Sequence, residues 1–333
     1  MKHGSIDGLY MSAYPAFALL AAIQLDLFSA LAEASASAGG PASAAQIAGG
    51  LHVNEARLQP LLDALAVAGL IEKSGTRYVN GAEVDRSLVR GQPDYLDGIG
   101  TLYLDRYRAA LGAAQSIRED RPSAKKDFAA MSPAQAAAFF GGMHKRALKG
   151  GHELARRIDF SGCASIVDAG GGSGGLAIGL CRALPQLRAV VADLPAILPV
   201  ARQHVADAGL AGRISVIEAD LLAAPLAGGH DAIILRAVLQ VMSVTNAARA
   251  LAHGAAAVGP GGIVCVIARM LDDSGVAPEE SVFFNLVFIS LYQDGRSYTE
   301  GQYRAWFDAA GVGGVQRIAL PGGHSIMWGR KNS

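Results

Sequence analysis

Cysteine, charge and long apolar runs are all scarce in this 333-residue chain, and each shortage closes off a class of protein. The three cysteines, Cys163, Cys181 and Cys265, are an odd number without CxxC spacing. They fit neither a disulfide framework nor a zinc site and suit a reducing cytoplasm. Only 17% of residues are charged, and 29 Lys plus Arg balance 29 Asp plus Glu. No global field therefore favours nucleic acid or an anionic membrane. The best apolar run, residues 15–28 (PAFALLAAIQLDLF), is interrupted by Gln24 and Asp26. It falls short of the roughly 20 residues a bilayer span takes. The opening Met-Lys-His, an apolar stretch and a later Ala-Ser-Ala imitate an export signal, but Asp7 precedes the stretch and Asp26 sits inside it. A cytoplasmic protein is expected. The histidines at 3, 52, 152, 204, 230, 253 and 324 show no HExxH-type spacing, so no metal is expected either.

What the chain has in quantity is apolar residues, 51% of the total, with positive mean hydropathy. That rules out disorder and provides for a large core. The first ~40 residues read as an amphipathic helix, followed by a flexible spacer at 35–44, SASAGGPASA. Residues 43–49 then form a short helix, and Asn54 caps a longer one through residue 68. Gly69 ends it, Leu70-Ile71 begins a strand, Ser74-Gly75 turns, and Arg77-Tyr78-Val79 returns. Two helices and a small hairpin make a winged-helix pattern. DNA binding would need basic and amide groups on the second helix, which instead carries Glu55 and Asp63 beside Arg57. A packing or dimerisation module fits better. Residues 92–156 read as helical throughout, with aromatics at Tyr95, Tyr103, Tyr107, Phe128, Phe139 and Phe140. From Ala164 the texture changes to short apolar runs separated by helix-length segments, the mark of a parallel sheet covered on both faces. Residues 315–320, the turn Pro321-Gly322-Gly323 and residues 325–329 read as a closing hairpin. A domain boundary is expected near 155, giving units 1–155 and 156–333.

The strongest motif is Ile166-Val167-Asp168-Ala169-Gly170-Gly171-Gly172-Ser173-Gly174-Gly175. It sits between a strand and a helix, and Gly170, Gly172 and Gly175 satisfy GxGxxG, the dinucleotide fingerprint. Such glycines bring backbone amides close to a ligand at a helix N-terminus. Asp168 argues against a dinucleotide, because its carboxylate would lie close to a pyrophosphate and repel it. The same carboxylate suits the cationic methionine moiety of S-adenosylmethionine. Asp193 ends the next strand in ADLP, with Leu194 beside it, placed to accept from both ribose hydroxyls. Asp220 ends the third in EADLL, where it can accept from an adenine amino group with Leu221 against the ring. The competing reading is that Asp193 and Asp220 merely cap helices.

The sequence resembles the small-molecule O-methyltransferases that include the plant caffeate and acetylserotonin enzymes and bacterial secondary-metabolite tailoring enzymes. The likeness runs over nearly the whole chain: the winged-helix region, VDAGGGSG, ADLP, EADLL, LRAVL, GPGG and GRSYTEGQYRAWFDAAGV. It implies an α/β fold, a doubly wound Rossmann-like class I methyltransferase domain, preceded by an all-helical, winged-helix dimerisation domain. It also implies a homodimer, S-adenosylmethionine as cofactor, and a small-molecule acceptor. By resemblance Gly170, Asp193, Asp220, Leu221 and Arg236 contact the cofactor. Met143 falls where the family presses a methionine against the acceptor, although as sequence it reads equally well as core filler. Tyr103, Phe139, Gln240, Asn285 and Arg296 are the further candidates for acceptor binding.

The family pattern breaks at two places. Family members continue the fourth strand into Leu-His-Asp-Trp, whose His is the general base; here the stretch is Leu239-Gln240-Val241-Met242. Plant members also carry a Glu that orients this base, where Gly295-Arg296-Ser297-Tyr298-Thr299 has Ser. An amide cannot take a proton at neutral pH. His144, beside Met143, is the candidate replacement, or else a surface histidine on an Ala/Gly-rich helix. The expected acceptor is therefore a sulfur, nitrogen or activated carbon that attacks without losing a proton first, aided by proximity and alignment. A hydroxyl acceptor with His144 as base is the alternative. Loss of the base also leaves open a protein of this fold that binds the cofactor without transferring methyl.

Overall fold

Capping chemistry starts the helices of the N-terminal half where the sequence places it. Ser43 and Gln46 form a reciprocal capping box at the head of Ala44–Leu51, and the Asn54 side chain accepts from the Arg57 N–H at the head of Glu55–Val67. Gly69 ends that helix in the left-handed region, φ 72°, and Gly75, φ 58°, turns the hairpin Ile71–Ser74 and Arg77–Asn80. The computed structural model describes residues 5–333, so His3 and the opening Met-Lys-His lie outside them. It divides into two compact units, Met1–Leu104 and Asp105–Ser333.

In the first unit, Leu27, Phe28, Leu31, Ile47, Leu58, Leu62, Leu65 and Tyr78 form the core. Asp63 is used to fasten the wing: it accepts from Lys73 Nζ at 2.6 Å and from the Tyr78 hydroxyl at 2.9 Å. Those bonds, with Gln59, hold its carboxyl down to about 2. Two expectations change here. The first ~40 residues form three helices rather than one, Ile6–Met11, Tyr14–Gln24 and Leu27–Ala38, with Asp26 turning the chain at φ 55°. Residues 35–44 are no flexible spacer. Residues 35–38 finish the third helix, Gly39 caps it at φ 65°, and Ala42–Ser43 pairs antiparallel with the hairpin. Fully buried Ala42 anchors that pairing. Starting the apolar run at Pro15 also understated it, because Ile6–Gln24, 19 residues, is long and apolar enough to cross a membrane by length and composition. Ile6, Leu9, Tyr10, Met11, Tyr14 and Phe17 on it are exposed.

The second unit is built on a mixed sheet. Its strands are β1 (Ser165–Ala169), β2 (Arg188–Asp193), β3 (Ile214–Glu218), β4 (His230–Arg236), β5 (Val258–Leu271), β6 (Val312–Ala319) and β7 (His324–Lys331). They lie in the order 6-7-5-4-1-2-3, with the two-residue strand Tyr298–Thr299 beside β5. Neighbours among β1 to β5 are parallel, and β7 pairs antiparallel with both β5 and β6. Apolar cores cover both faces, as the continuous apolar runs require. The order reverses at β1 and β4, so the crevice for a ligand lies outside their carboxyl ends.

The helical stretch 92–156 is broken. Helices Ile99–Leu111 and Ala113–Glu119 are followed by a non-helical segment, where Asp120 turns left-handed and the Ala124 and Lys126 amides donate to the Ser290 and Leu291 carbonyls. The division between units falls at 104/105 rather than near 155, because the 25-residue helix α1 (Pro133–Arg157) belongs to the sheet. It packs directly on α2 (Gly175–Ala183), the helix after the glycine motif. A Cβ on Gly151 would lie 2.3 Å from the Leu176 carbonyl oxygen, and one on Gly179 2.2 Å from that of Leu148. Backbone faces backbone at this crossing, so nothing can yield.

Gly179→Ala is accordingly expected to cost about 1–3 kcal/mol or more through overpacking. Gly141→Ala, on the same helix α1 with no atom within 4 Å of its Cβ, should instead stabilise by about 0.5–1 kcal/mol. Urea denaturation of the two variants checks both; equal midpoints would refute the close crossing.

Candidate active site

The glycine motif leaves the end of β1 and is stitched to β2. The amides of Gly170 and Gly171 donate to the Ala192 carbonyl at 2.7 and 3.4 Å. The Gly172 amide donates to Asp193 Oδ2 at 2.7 Å, and the Leu194 amide to Asp193 Oδ1 at 2.7 Å. Gly170, Gly172 and Gly174 all have positive φ. At two of them a side chain is excluded twice over. A Cβ on Gly170 would sit 2.1 Å from Val238 Cγ2, and one on Gly172 2.6 Å from the Phe140 ring. Gly174 heads α2 at φ 70°, a role the GxGxxG pattern passes over.

Asp168 lies beneath this loop, 1% exposed. Its Oδ2 accepts from the Ala177 amide at 3.3 Å, while Oδ1 is buried with no partner among the described residues. Burial pushes the carboxyl up to about 7, opposed by Arg236 and the Ala177 amide and assisted by Asp193. Burial also raises Asp193, against the Gly172 and Leu194 amides. A buried oxygen in need of a donor, a cradle that admits only glycine and a second acid at the end of β2 fit S-adenosylmethionine, with its ammonium and ribose. Asp220 is exposed after β3, and its Oδ1 accepts from the Leu222 amide at 2.8 Å, a turn bond of its own. Leu221 is buried within the core, and Leu194 is the more accessible of the two leucines.

Beyond β4 the chain turns sharply. Ala237 takes φ 59°, a strained value for a residue with a side chain, as its amide donates to the Ile267 carbonyl at 2.7 Å. This turn delivers Gln240, 7% exposed, whose Oε1 accepts from the Arg269 amide of β5 at 3.0 Å. Asn285, on the helix Glu279–Leu291, likewise spends Oδ1 on the Ser297 amide at 2.8 Å. Each side chain thus fixes a backbone through its oxygen and keeps its NH2, which has no acceptor among the described residues. Ser297 is buried and donates to the Ser281 carbonyl.

Phe128, Phe139, Phe140 and Tyr292 gather over the loop, with ring centroids 5.1–6.2 Å apart. Phe139 and Phe140 are carried by α1, as are Met143 and His144. His144 faces the glycine motif: its Nδ1 lies 3.0 Å from Ser173 Oγ, and its ring stacks on His204 at 3.8 Å. Burial, followed by His204, pushes it down to about 4. Nothing brings it to Gln240 or Asn285. Arg296 is exposed, with its guanidinium over Tyr298. Tyr103 belongs to the helix at the end of the first unit. Sequence reasoning gave no role to Phe140, Ser173, His204, Phe284 or Arg106. The Phe-Phe doublet and the serine inside the glycine run were visible signals; the other three carried none.

Comparison with known proteins agrees with this geometry. The O-methyltransferase domain matches residues 122–313, and the O-methyltransferase dimerisation domain matches residues 6–88. The chain belongs to the O-methyltransferase family. It is similar to the 3-hydroxy-5-methyl-1-naphthoate 3-O-methyltransferase of Streptomyces sahachiroi, 32% identical over 94% of this chain and 91% of that one. It is also similar to an N,N-dimethyltransferase of Streptomyces rimosus, 30% identical over 92% and 90%. The human N-acetylserotonin methyltransferase in complex with S-adenosylmethionine shares the fold, with TM-score 0.82 and 22% identity over the whole of both chains. The protein is a methyltransferase with S-adenosylmethionine as donor and a small molecule as acceptor. The apolar stretch Ile6–Gln24 falls within the dimerisation domain of this family.

The state of Asp168 generates a stability prediction for the methyltransferase without cofactor. Its folded value, about 7, exceeds the ordinary 3.8. The folded state therefore holds a proton that the unfolded chain releases, and stability falls as pH rises between about 4 and 7. The full cost, at most about 4 kcal/mol, is present above that window. Asp168→Asn should lose less stability than wild type between pH 5 and pH 8, as urea midpoints will show. Parallel loss in both proteins would mean that Asp168 is not the buried acid in question.

Proposed function

We propose that this methyltransferase acts on a sulfur, nitrogen or activated-carbon nucleophile that needs no general base. One observation carries the reading. Gln240, which by the resemblance stands where the family has its base, commits its oxygen to the Arg269 amide and keeps an NH2 donor. A donor can orient a substrate but cannot deprotonate it. His144 supports the same reading, because it is occupied by Ser173 and His204 and its pushed-down value makes it a weak base. S-adenosylmethionine supplies an electrophilic methyl group on a sulfonium. The chain supplies alignment: the aromatic group around Phe139 and Met143 covers the acceptor, and the amides of Gln240 and Asn285 orient it. The N,N-dimethyltransferase relative shows that a nitrogen acceptor is within this family's reach.

On the donor side, Gly170 and Gly172 bring backbone to the cofactor, and Asp168 Oδ1 takes its ammonium. Asp193 takes the ribose hydroxyls, Asp220 the adenine amino group with Leu194 against the ring, and Arg236 borders the crevice at the end of β4. The protein is a cytoplasmic homodimer in this reading, in which a second copy covers the exposed face of Tyr10, Tyr14 and Phe17.

Asp193→Ala removes two charge-assisted hydrogen bonds, each worth about 1.5–3 kcal/mol. It should weaken S-adenosylhomocysteine binding at least tenfold, roughly 1.4 kcal/mol, with the fold intact; unchanged affinity by calorimetry would remove Asp193 from the site. For the acceptor, turnover should vary little between pH 6 and 9, and Gln240→His should not raise it. Should His144→Ala abolish methyl transfer and high pH restore it, a base is present, and a hydroxyl acceptor, as in the naphthoate relative's name, takes the place of this reading.

A further inference from the structure

Arginines gather on the side of the crevice next to Gln240, in a chain whose formal net charge is zero. Arg269 is fixed there by its own backbone, through the bond to Gln240 Oε1 at 3.0 Å. Its guanidinium lies over the Phe284 ring, 4.2 Å from the centroid, and Arg106 approaches the same ring at 5.3 Å. Asn285 follows Phe284 directly on the same helix. Arg269 Nη1 donates to the Gly322 carbonyl and, at 3.4 Å, to the Glu280 carbonyl. Nε and Nη2 have no acceptor among the described residues, and they are two parallel donors of the kind that grip a carboxylate. His324 pairs with Arg269 across β5 and β7.

Electrostatics agree with the geometry. Burial, then Arg106, pushes Arg269 down to about 10, with Glu280 opposing and Arg146 adding to the fall. Burial, then Arg269, Arg236 and Arg106, pushes His324 down to about 4. Each of these cations lowers its neighbours, so a negative group placed beside the Arg269 guanidinium would be favoured.

We propose that Arg269 binds a carboxylate on an aromatic acceptor whose ring lies beside Phe284. This rests on the reading of the Gln240 and Asn285 crevice as the acceptor's place, but not on the choice of nucleophile. The cofactor also carries a carboxylate, and the test separates the two sources.

Wild-type enzyme saturated with S-adenosylhomocysteine is titrated by calorimetry with benzoate, 1-naphthoate and 9-anthroate, each against its neutral carboxamide. At least one acid should bind ten or more times tighter than its amide. Arg269→Gln should bring that ratio below threefold, and Arg269→Lys should retain part of it. In both variants, and in Arg106→Gln, affinity for S-adenosylhomocysteine should stay within twofold of wild type, which also reports an intact fold. No acid outbinding its amide, or a ratio that survives Arg269→Gln, overturns the proposal. A ratio lost together with tenfold of S-adenosylhomocysteine affinity assigns Arg269 to the cofactor's carboxylate and overturns it equally. None of these outcomes involves proton abstraction, so failure of the base-free reading is a separate result.

Discussion

Two helices touching backbone to backbone set the geometry on which the site depends. Helix α1 crosses α2 through Gly151 and Gly179, and a Cβ on Gly175 would lie 2.8 Å from the His144 carbonyl oxygen. With side chains at these positions the helices would stand apart by the width of a methyl group or more. Phe140 would then leave Gly172, and His144 would lose Ser173. Close packing of this kind tolerates little volume change. The glycine motif is therefore held from two directions: β2 grips its amides through Ala192 and Asp193, and α1 covers it from above.

Some polar groups of the second unit are left partly unsatisfied among the described residues. Asp168 keeps one buried oxygen without a donor among the described residues, and burial makes its ionisation costly. Gln240 and Asn285 spend their oxygens on backbone and keep their NH2 groups. Elsewhere the same residue types are fully employed. Asp63 is surrounded by Lys73, Tyr78 and Gln59 and holds the wing.

Much of this architecture is local and was legible. The cap at Asn54, the glycines at 69 and 75, the glycine motif and the alternation of strands and helices depend on neighbours within a few residues. Where sequence reading strayed, the deciding contact was distant. The Ser/Ala/Gly-rich stretch 35–44 reads as a spacer until Ala42–Ser43 meets a strand 35 residues later. Residues 120–132 read as helix until their amides find carbonyls at Ser290 and Leu291.

The sequence alone determined the class of chemistry. Asp168 before the glycines, acids at the ends of the next two strands and the amide of Gln240 after the fourth are covalent facts, and each has a chemical consequence wherever the chain folds. The tertiary structure decided what those groups are free to do. It turned His144 toward Ser173 and His204, placed Arg296 over Tyr298, and brought Arg269 and Arg106 to one ring from positions 163 residues apart. Hydrogen-bond direction, burial and the field of neighbouring charges are set by contacts across the sheet and between helices, and these have no signature in local spacing.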